Sequence, residues 1–277
     1  MDSASSTNGL LRQAVVIGLI LAAGVWLPAW AAATGPGAIL TELRLNARDR
    51  ILVLAPHPDD FDAVAVTMKR FFAAGTEIFV AVASSGASGV EDSFCALPTN
   101  SEKAHTREAE QRRSCEFFGL PGDHVHFLRL EEDEAGRIMD TETNFAAVAA
   151  VFDVFSPSLV FLPHGNDTNA DHRLVYAMLS RLGSNSGHAF AAFLIRDPKT
   201  IASRMDVYTP FDEANATWKA ELLRFHQSQH QRNLNTRGYG FDDRILAGNR
   251  DSAQLYGIKD HAYAEIFELE FFPGKSI

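Results

Sequence analysis

The sequence predicts an α/β fold, a single domain built on a Rossmann-like, mostly parallel sheet with helices on both faces. Short apolar runs alternate along the chain with segments of helical character, the pattern of a parallel sheet covered by helices. The runs are continuous rather than alternating, as in strands buried on both faces. With 277 residues, 46% of them hydrophobic and 22% charged, the chain can bury one sizeable core without disulfides or other staples.

The elements are read in chain order. Residues 14–33 carry no charge, follow Arg12, and end in the small-residue patterns Ala29-Trp30-Ala31 and Ala31-Ala32-Ala33. They are expected to be a signal peptide or a membrane anchor, which makes 1–37 a targeting segment with its linker and 38–277 the folded domain. An exported or membrane-anchored, extracytoplasmic location follows if that segment functions, and a cytoplasmic one if it does not. Strands are expected at 50–56, 77–84, 125–130 and Leu159–Pro163, with a late, half-buried strand at 265–272 where Phe267, Leu269 and Phe271 alternate with Glu268 and Glu270. Helices are expected at 62–74, 104–118, 143–155, 171–182 and 218–231.

Composition narrows the function. A formal charge of -10 and a pI near 5.4, without a stripe of Lys and Arg, argue against nucleic acid and favour a small neutral or cationic substrate. The run Glu131-Glu132-Asp133-Glu134 reads as a solvated loop. Cys95 and Cys115 are too few for a disulfide framework and lack the spacing of a structural zinc site, so pairing and two free thiols both stay open. A dinucleotide site would place Gly-x-Gly-x-x-Gly after the first strand, and His-Pro-Asp-Asp stands there instead. Residues 84–89, Ser-Ser-Gly-Ala-Ser-Gly, form a loop at the rim of a site.

Two polar loops carry the chemistry. His57-Pro58-Asp59-Asp60 follows the first strand, and residues 164–173, from His164 through Asn169, Asp171 and His172 to Arg173, follow the fourth. Each alone could be a simple turn. Both leave the carboxyl ends of strands, where ligands bind in open α/β sheets. Together they offer two imidazoles and a carboxylate to one cation, with a coordination position left open, a set used by catalytic zinc and by some Fe(II) enzymes. His57 and Asp60, three apart on a turn, and His172, near a helix start, are the candidate metal ligands. Asp59 is then the carboxylate beside the metal, suited to act as a general base. His164 is a candidate substrate contact. His226 and His230, four apart on a helix, form a weaker candidate pair because no Glu completes His-Glu-x-x-His.

The Pro-His-Pro-Asp-Asp loop followed by an Asp-His pair resembles the PIG-L/LmbE family of de-N-acetylases, over about 50–267. Arg107 and Glu110, Phe118-Gly119-Leu120, and His226-Gln227-Ser228-Gln229 support the resemblance. It implies Zn(2+), with Fe(2+) an alternative, on His57, Asp60 and His172. It further implies Asp59 as general base, Asp171 beside the catalytic groups and Arg107 in the substrate pocket. The implied activity is hydrolysis of an N-acyl, chiefly N-acetyl, group from an amino sugar or related small molecule. Runner-up readings are an amidase for another acylated amine, such as a thiol conjugate, and a non-catalytic carbohydrate-binding relative. Two positions depart from the family pattern: Phe61 where Glu is usual, and Asn169 where His is frequent. Asn169 can donate to an oxyanion but cannot deliver a proton.

Overall fold

In a computed structural model of the chain the described residues are 38–39 and 49–274. The uncharged stretch 14–33 lies outside them. Among the described residues no helix is long and apolar enough to cross a membrane.

Among the described residues eight strands form one sheet: β1 (Ala38–Ile39), β2 (Arg50–Ala55), β3 (Glu77–Val82), β4 (Val125–Phe127), β5 (Leu159–Pro163), β6 (Phe190–Ile195), β7 (Val207–Phe211) and β8 (Tyr263–Phe272). Their spatial order is β1-β7-β8-β6-β5-β2-β3-β4. All pairings are parallel except those of β8, which runs antiparallel to β6 and β7. Seven helices among the same residues cover the sheet: α1 (Ala65–Ala73), α2 (Asn100–Phe118), α3 (Glu142–Phe155), α4 (Ala170–Gly183), α5 (Glu213–Leu223), α6 (Gln227–Arg237) and α7 (Phe241–Leu255).

The period of two along each strand divides the core into two layers. Ile51 and Val53 of β2 pack with Met68 and Phe71 of α1 and Cys115 of α2. Leu52 and Leu54 point the other way, into a layer with Val148 and Phe152 of α3 and Val175 and Leu179 of α4. Phe61, one of the departures from the family pattern, belongs to the first layer, fully buried with its ring edge-on to Phe118 at 5.1 Å. Cys95 and Cys115 are both free thiols; Cys115 is buried, and burial pushes its pKa well up.

The expected strands and helices form within a few residues of their predicted bounds, with one exception. The helix expected at 218–231 is two helices, α5 and α6, broken at residues 224–226. His226, at the N-cap of α6, takes a non-helical backbone (φ -83°, ψ 63°) while its ring bonds the buried Asp62 carboxylate. A tertiary hydrogen bond breaks the helix where no Gly or Pro would have.

The strand order fixes where a ligand can bind. From β2 the chain builds outward through β3 and β4, then returns to the other side of β2 with β5 and β6. The sheet therefore switches direction between β2 and β5, which pair from Ile51 with Leu159 to Val53 with Phe161. A crevice opens beyond the carboxyl ends of strands at such a switch point. The two polar loops leave these two strands there.

Candidate metal centre and active site

The β2 loop turns sharply. Asp60 N–H donates to the His57 carbonyl at 3.3 Å, and the Asp60 Oδ2 accepts from the His57 backbone N–H at 2.8 Å. Between them Asp59 takes φ 123°, a left-handed conformation costly for any residue with a Cβ. The loop is braced from α2, where Gln111 Oε1 accepts from Asp59 N–H at 2.8 Å and Arg107 Nη2 donates to the Pro58 carbonyl. Gly86, from the loop after β3, lies directly against this turn. It has φ +64°, and a Cβ there would sit 3.0 Å from Pro58 and 3.1 Å from Arg107 Nε. The Gly-rich stretch expected as a rim loop is thus a packed wall of the site. Glu132 ties it down by accepting from Ser85 N–H at 2.6 Å, so one residue of the expected solvated run has a structural task.

The β5 loop delivers its groups through the start of α4. Asn169 is the N-cap, its Oδ1 accepting from Asp171 N–H at 2.9 Å, which places Asp171 and His172 in the first turn. Replacing Asn169 with Ala should cost about 1 kcal/mol of stability through the lost cap. Urea unfolding of the variant checks this, and an unchanged midpoint would show that the cap is dispensable.

The two loops bring His57, Asp60 and His172 together, each offering a ligand atom within 4.8 Å of the others. Both imidazoles are oriented by carboxylates. His57 Nε2 lies 3.0 Å from Asp171 Oδ2, which leaves Nδ1 facing Asp60 at 3.3 Å. His172 Nδ1 lies 3.0 Å from Asp167 Oδ2, which leaves Nε2 facing Asp60 at 3.6 Å. A carboxylate behind each imidazole fixes its tautomer and raises its basicity, as in metal-ligating histidines. The donor set, its convergence and this outer bracing fit a divalent cation.

A second group, Asp167, His172 and Asp197, shares His172. It fits less well, because Asp167 is already the orienting partner of His172 and Asp197 faces Lys199 Nζ at 3.6 Å.

The electrostatics of the first group agree with this reading. Burial opposes charge on His57, but the Asp171 and Asp60 carboxylates outweigh it and push the imidazole up to about 9. Burial likewise works against charge on Asp60, Asp167 and Asp171, while their histidine partners hold all three below the usual carboxylate range. A cation entering the site has to displace the His57 proton. Uptake should therefore release about one proton from this group below pH 9, with apparent affinity falling about tenfold per unit as pH drops. Cation titration in two buffers of different ionisation enthalpy checks this; buffer-independent heats would contradict it.

Asp59, Asn169, Asp171 and Arg107 line the same cleft of about 300 Å³ as His57 and Asp60. Asp59 does not join the ligand group; its Oδ2 accepts from Arg107 Nη2 at 2.7 Å. Arg107, nearly fully buried, reaches the cleft while bracing both Pro58 and Asp59.

Residues 52–182 match the family profile described as PIG-L, GlcNAc-PI de-N-acetylase. A search of curated proteins found no match. The fold is similar to N,N'-diacetylchitobiose deacetylase from Pyrococcus horikoshii, with TM-score 0.64 and 18% identity over 83% of this chain and 88% of that one. It is similar also to GalB, the 4-carboxy-2-hydroxymuconate hydratase of Pseudomonas putida KT2440, with TM-score 0.62 and 19% identity over 83% of this chain and 98% of that one. The zinc inhibited form of teicoplanin deacetylase Orf2 is a third, with TM-score 0.61 and 14% identity over 80% of this chain and 98% of that one. At such identities these likenesses show the fold, and the fold serves both deacetylases and a hydratase.

The candidate metal ligands and the base candidate lie within the matched stretch, but not every expected site residue reaches the cleft. His164 does not line it: its Nε2 lies 3.1 Å from Glu268 Oε2, and its Nδ1 accepts from Asn166 N–H at 2.8 Å. One ring nitrogen holds the loop to β8 and the other bonds within the loop. His226 and His230 diverge, the first to Asp62 and the second to Asp242 at 3.1 Å, so they form no metal pair.

The sequence reading missed Asp167, the brace of His172, and Lys199, whose Nζ lies 3.3 Å from His172 Nε2. It also missed the charge of the cleft. Arg137, Lys199, Arg232, Arg237 and Arg244 join Arg107 in lining it. Asp59, Asp60, Asp171 and Asp197 line it as well, so the walls carry both signs of charge, which the net charge of the chain does not reveal.

Proposed function

We propose that this chain is a metal-dependent hydrolase that removes an N-acyl group, chiefly acetyl, from an amino sugar. The observation that carries the reading is the convergence of His57 Nδ1, His172 Nε2 and Asp60 beyond the sheet switch point, with the Asp59 carboxylate, outside the ligand group and held by Arg107, in the same cleft. The match of residues 52–182 to the PIG-L profile and the deacetylases among the similar folds support it.

His57, Asp60 and His172 would hold a divalent cation, for which we propose Zn(2+), with Fe(2+) compatible with the same ligands. That ion would supply a Lewis acid that polarises the acyl carbonyl and acidifies water. Asp59 takes the proton from the attacking water. The Asn169 amide, whose oxygen caps α4, has its N–H groups to donate to the carbonyl oxygen as charge develops there. Asp59 then returns its proton to the departing nitrogen, since Asn169 has none to give. The net change is amide plus water to carboxylate plus amine. Residues 14–33 are proposed to export or anchor the domain.

The test is release of free amine and acetate from a panel of N-acetylated sugars by protein loaded with Zn(2+) or Fe(2+). Both products are expected in equal amounts, and a chelator should abolish them. Undiminished turnover in chelator, or no amine from any member of the panel, would overturn the reading.

A further inference from the structure

We propose that the substrate carries an anionic group, phosphate or carboxylate, which is held in a second cavity beside the cleft; this rests on the hydrolase reading above. The second cavity, about 940 Å³, shares Lys199, Arg237 and Arg244 with the catalytic cleft and adds Arg196 and Arg250. Two aspartates, Asp243 and Asp251, line it as well, leaving cations in excess. Asp243 is partly spent, its Oδ2 accepting from Gly240 N–H at 3.0 Å in the capping box of α7.

The arginines here are not consumed by ion pairs. Arg237 donates only to the neutral Asn233 and Thr236, at 3.4 and 3.3 Å, and Arg196 to Ser252 at 2.8 Å. Arg250 donates to the Tyr263 hydroxyl and lies over its ring. Elsewhere on this molecule arginines commonly find carboxylates, as Arg129 does with Glu108, Arg181 with Glu142 and Arg224 with Asp242.

In a chain of net charge -10, a cluster of guanidinium groups that outnumber the carboxylates around one opening and form no ion pairs with them needs an explanation. Their mutual repulsion is relieved by an anion, and the planar fork of Arg suits the paired oxygens of phosphate or carboxylate. Lys199, Arg237 and Arg244 line both cavities, so a sugar whose acylated nitrogen faces His57 and Asp60 can extend its anionic substituent past Arg237 and Arg244. The cluster also raises the local concentration of anionic substrate at the mouth.

The test compares kcat/KM for N-acetylglucosamine 1-phosphate, N-acetylmuramic acid and the uncharged methyl glycoside of N-acetylglucosamine, using wild type and the R237Q/R244Q double variant. Arg237 is exposed and Arg244 partly exposed, so the double variant is expected to fold. At least one anionic substrate should exceed the methyl glycoside by about tenfold or more, and the preferred one identifies the anion. The preference should shrink to about threefold or less in the variant and weaken in high salt. Equal kcat/KM for all three, or a preference that survives both substitutions, overturns the proposal while the hydrolase reading stands. If no amine is released, calorimetry with glucosamine 1-phosphate and methyl glucosaminide separates the two claims. Tighter phosphate binding that R237Q/R244Q removes keeps the anion site and rejects the hydrolase reading. Equal binding of the two compounds rejects the anion site.

Discussion

Asp59→Asn is expected to lower kcat by roughly 10²- to 10⁴-fold, the range for loss of a positioned general base, with metal content and thermal midpoint unchanged. The substitution isolates proton transfer. Asp59 stands outside the ligand group, so its replacement leaves His57, Asp60 and His172 intact. Asn tolerates the left-handed backbone at φ 123° nearly as well as Asp, and its amide oxygen can still accept from Arg107 Nη2. The backbone bond to Gln111 does not depend on the side chain. A metal-replete variant with kcat within tenfold of wild type would remove Asp59 from the mechanism.

The largest expected loss of stability is at Lys219. Its ammonium is fully buried and donates to Glu265 Oε1 at 2.7 Å, Asn249 Oδ1 at 2.9 Å and the Ala63 carbonyl at 2.6 Å. Burial lowers its pKa, and the Glu265 carboxylate opposes that. Glu265 in turn accepts from Val66 and Thr67 N–H, at 3.1 and 2.8 Å, at the start of α1. One ion pair therefore ties α5, α7 and β8 to the turn that follows the β2 loop. Lys219→Met leaves a buried carboxylate without its counter-ion, for which the expected cost is roughly 3 to 5 kcal/mol. The double variant Lys219→Met/Glu265→Gln should recover part of this. Denaturant unfolding of the three proteins measures it, and a single variant within about 1 kcal/mol of wild type would show that the pair is compensated by solvent.

The centre of the site was legible because its residues lie in two short loops directly after unmistakable strands. Unbroken runs such as Ile51-Leu52-Val53-Leu54 fix the strand ends, and the strand ends fix where His57 and His172 emerge. The braces were not legible. Asp167 and Asp171 are both acidic neighbours of His172, and only the backbone of the loop sends one to His172 and the other to His57.

Lys199 was missed because it follows β6, where the Ala-rich run Phe-Ala-Ala-Phe-Leu-Ile carries a weaker strand signal. β7 contains Pro210, which has no N–H for the ladder and disguises the strand. The arginine cluster depended on α7, whose interior Gly248 and Asn249 weaken the helical signal, and on the break between α5 and α6. Net charge could not show the cluster, since a global sum says nothing of which side chains surround one opening.

The central claim is that His57, Asp60 and His172 hold one catalytic cation. It is tested most directly by counting metal in purified wild type and Asp60→Ala by elemental analysis after equilibration with Zn(2+) and desalting, with circular dichroism confirming that both are folded. The account predicts about one ion per chain in wild type and a small fraction of that in Asp60→Ala, because two imidazoles without the carboxylate make a far weaker site. A wild type that retains no ion, or an Asp60→Ala variant as fully loaded as wild type, would contradict it.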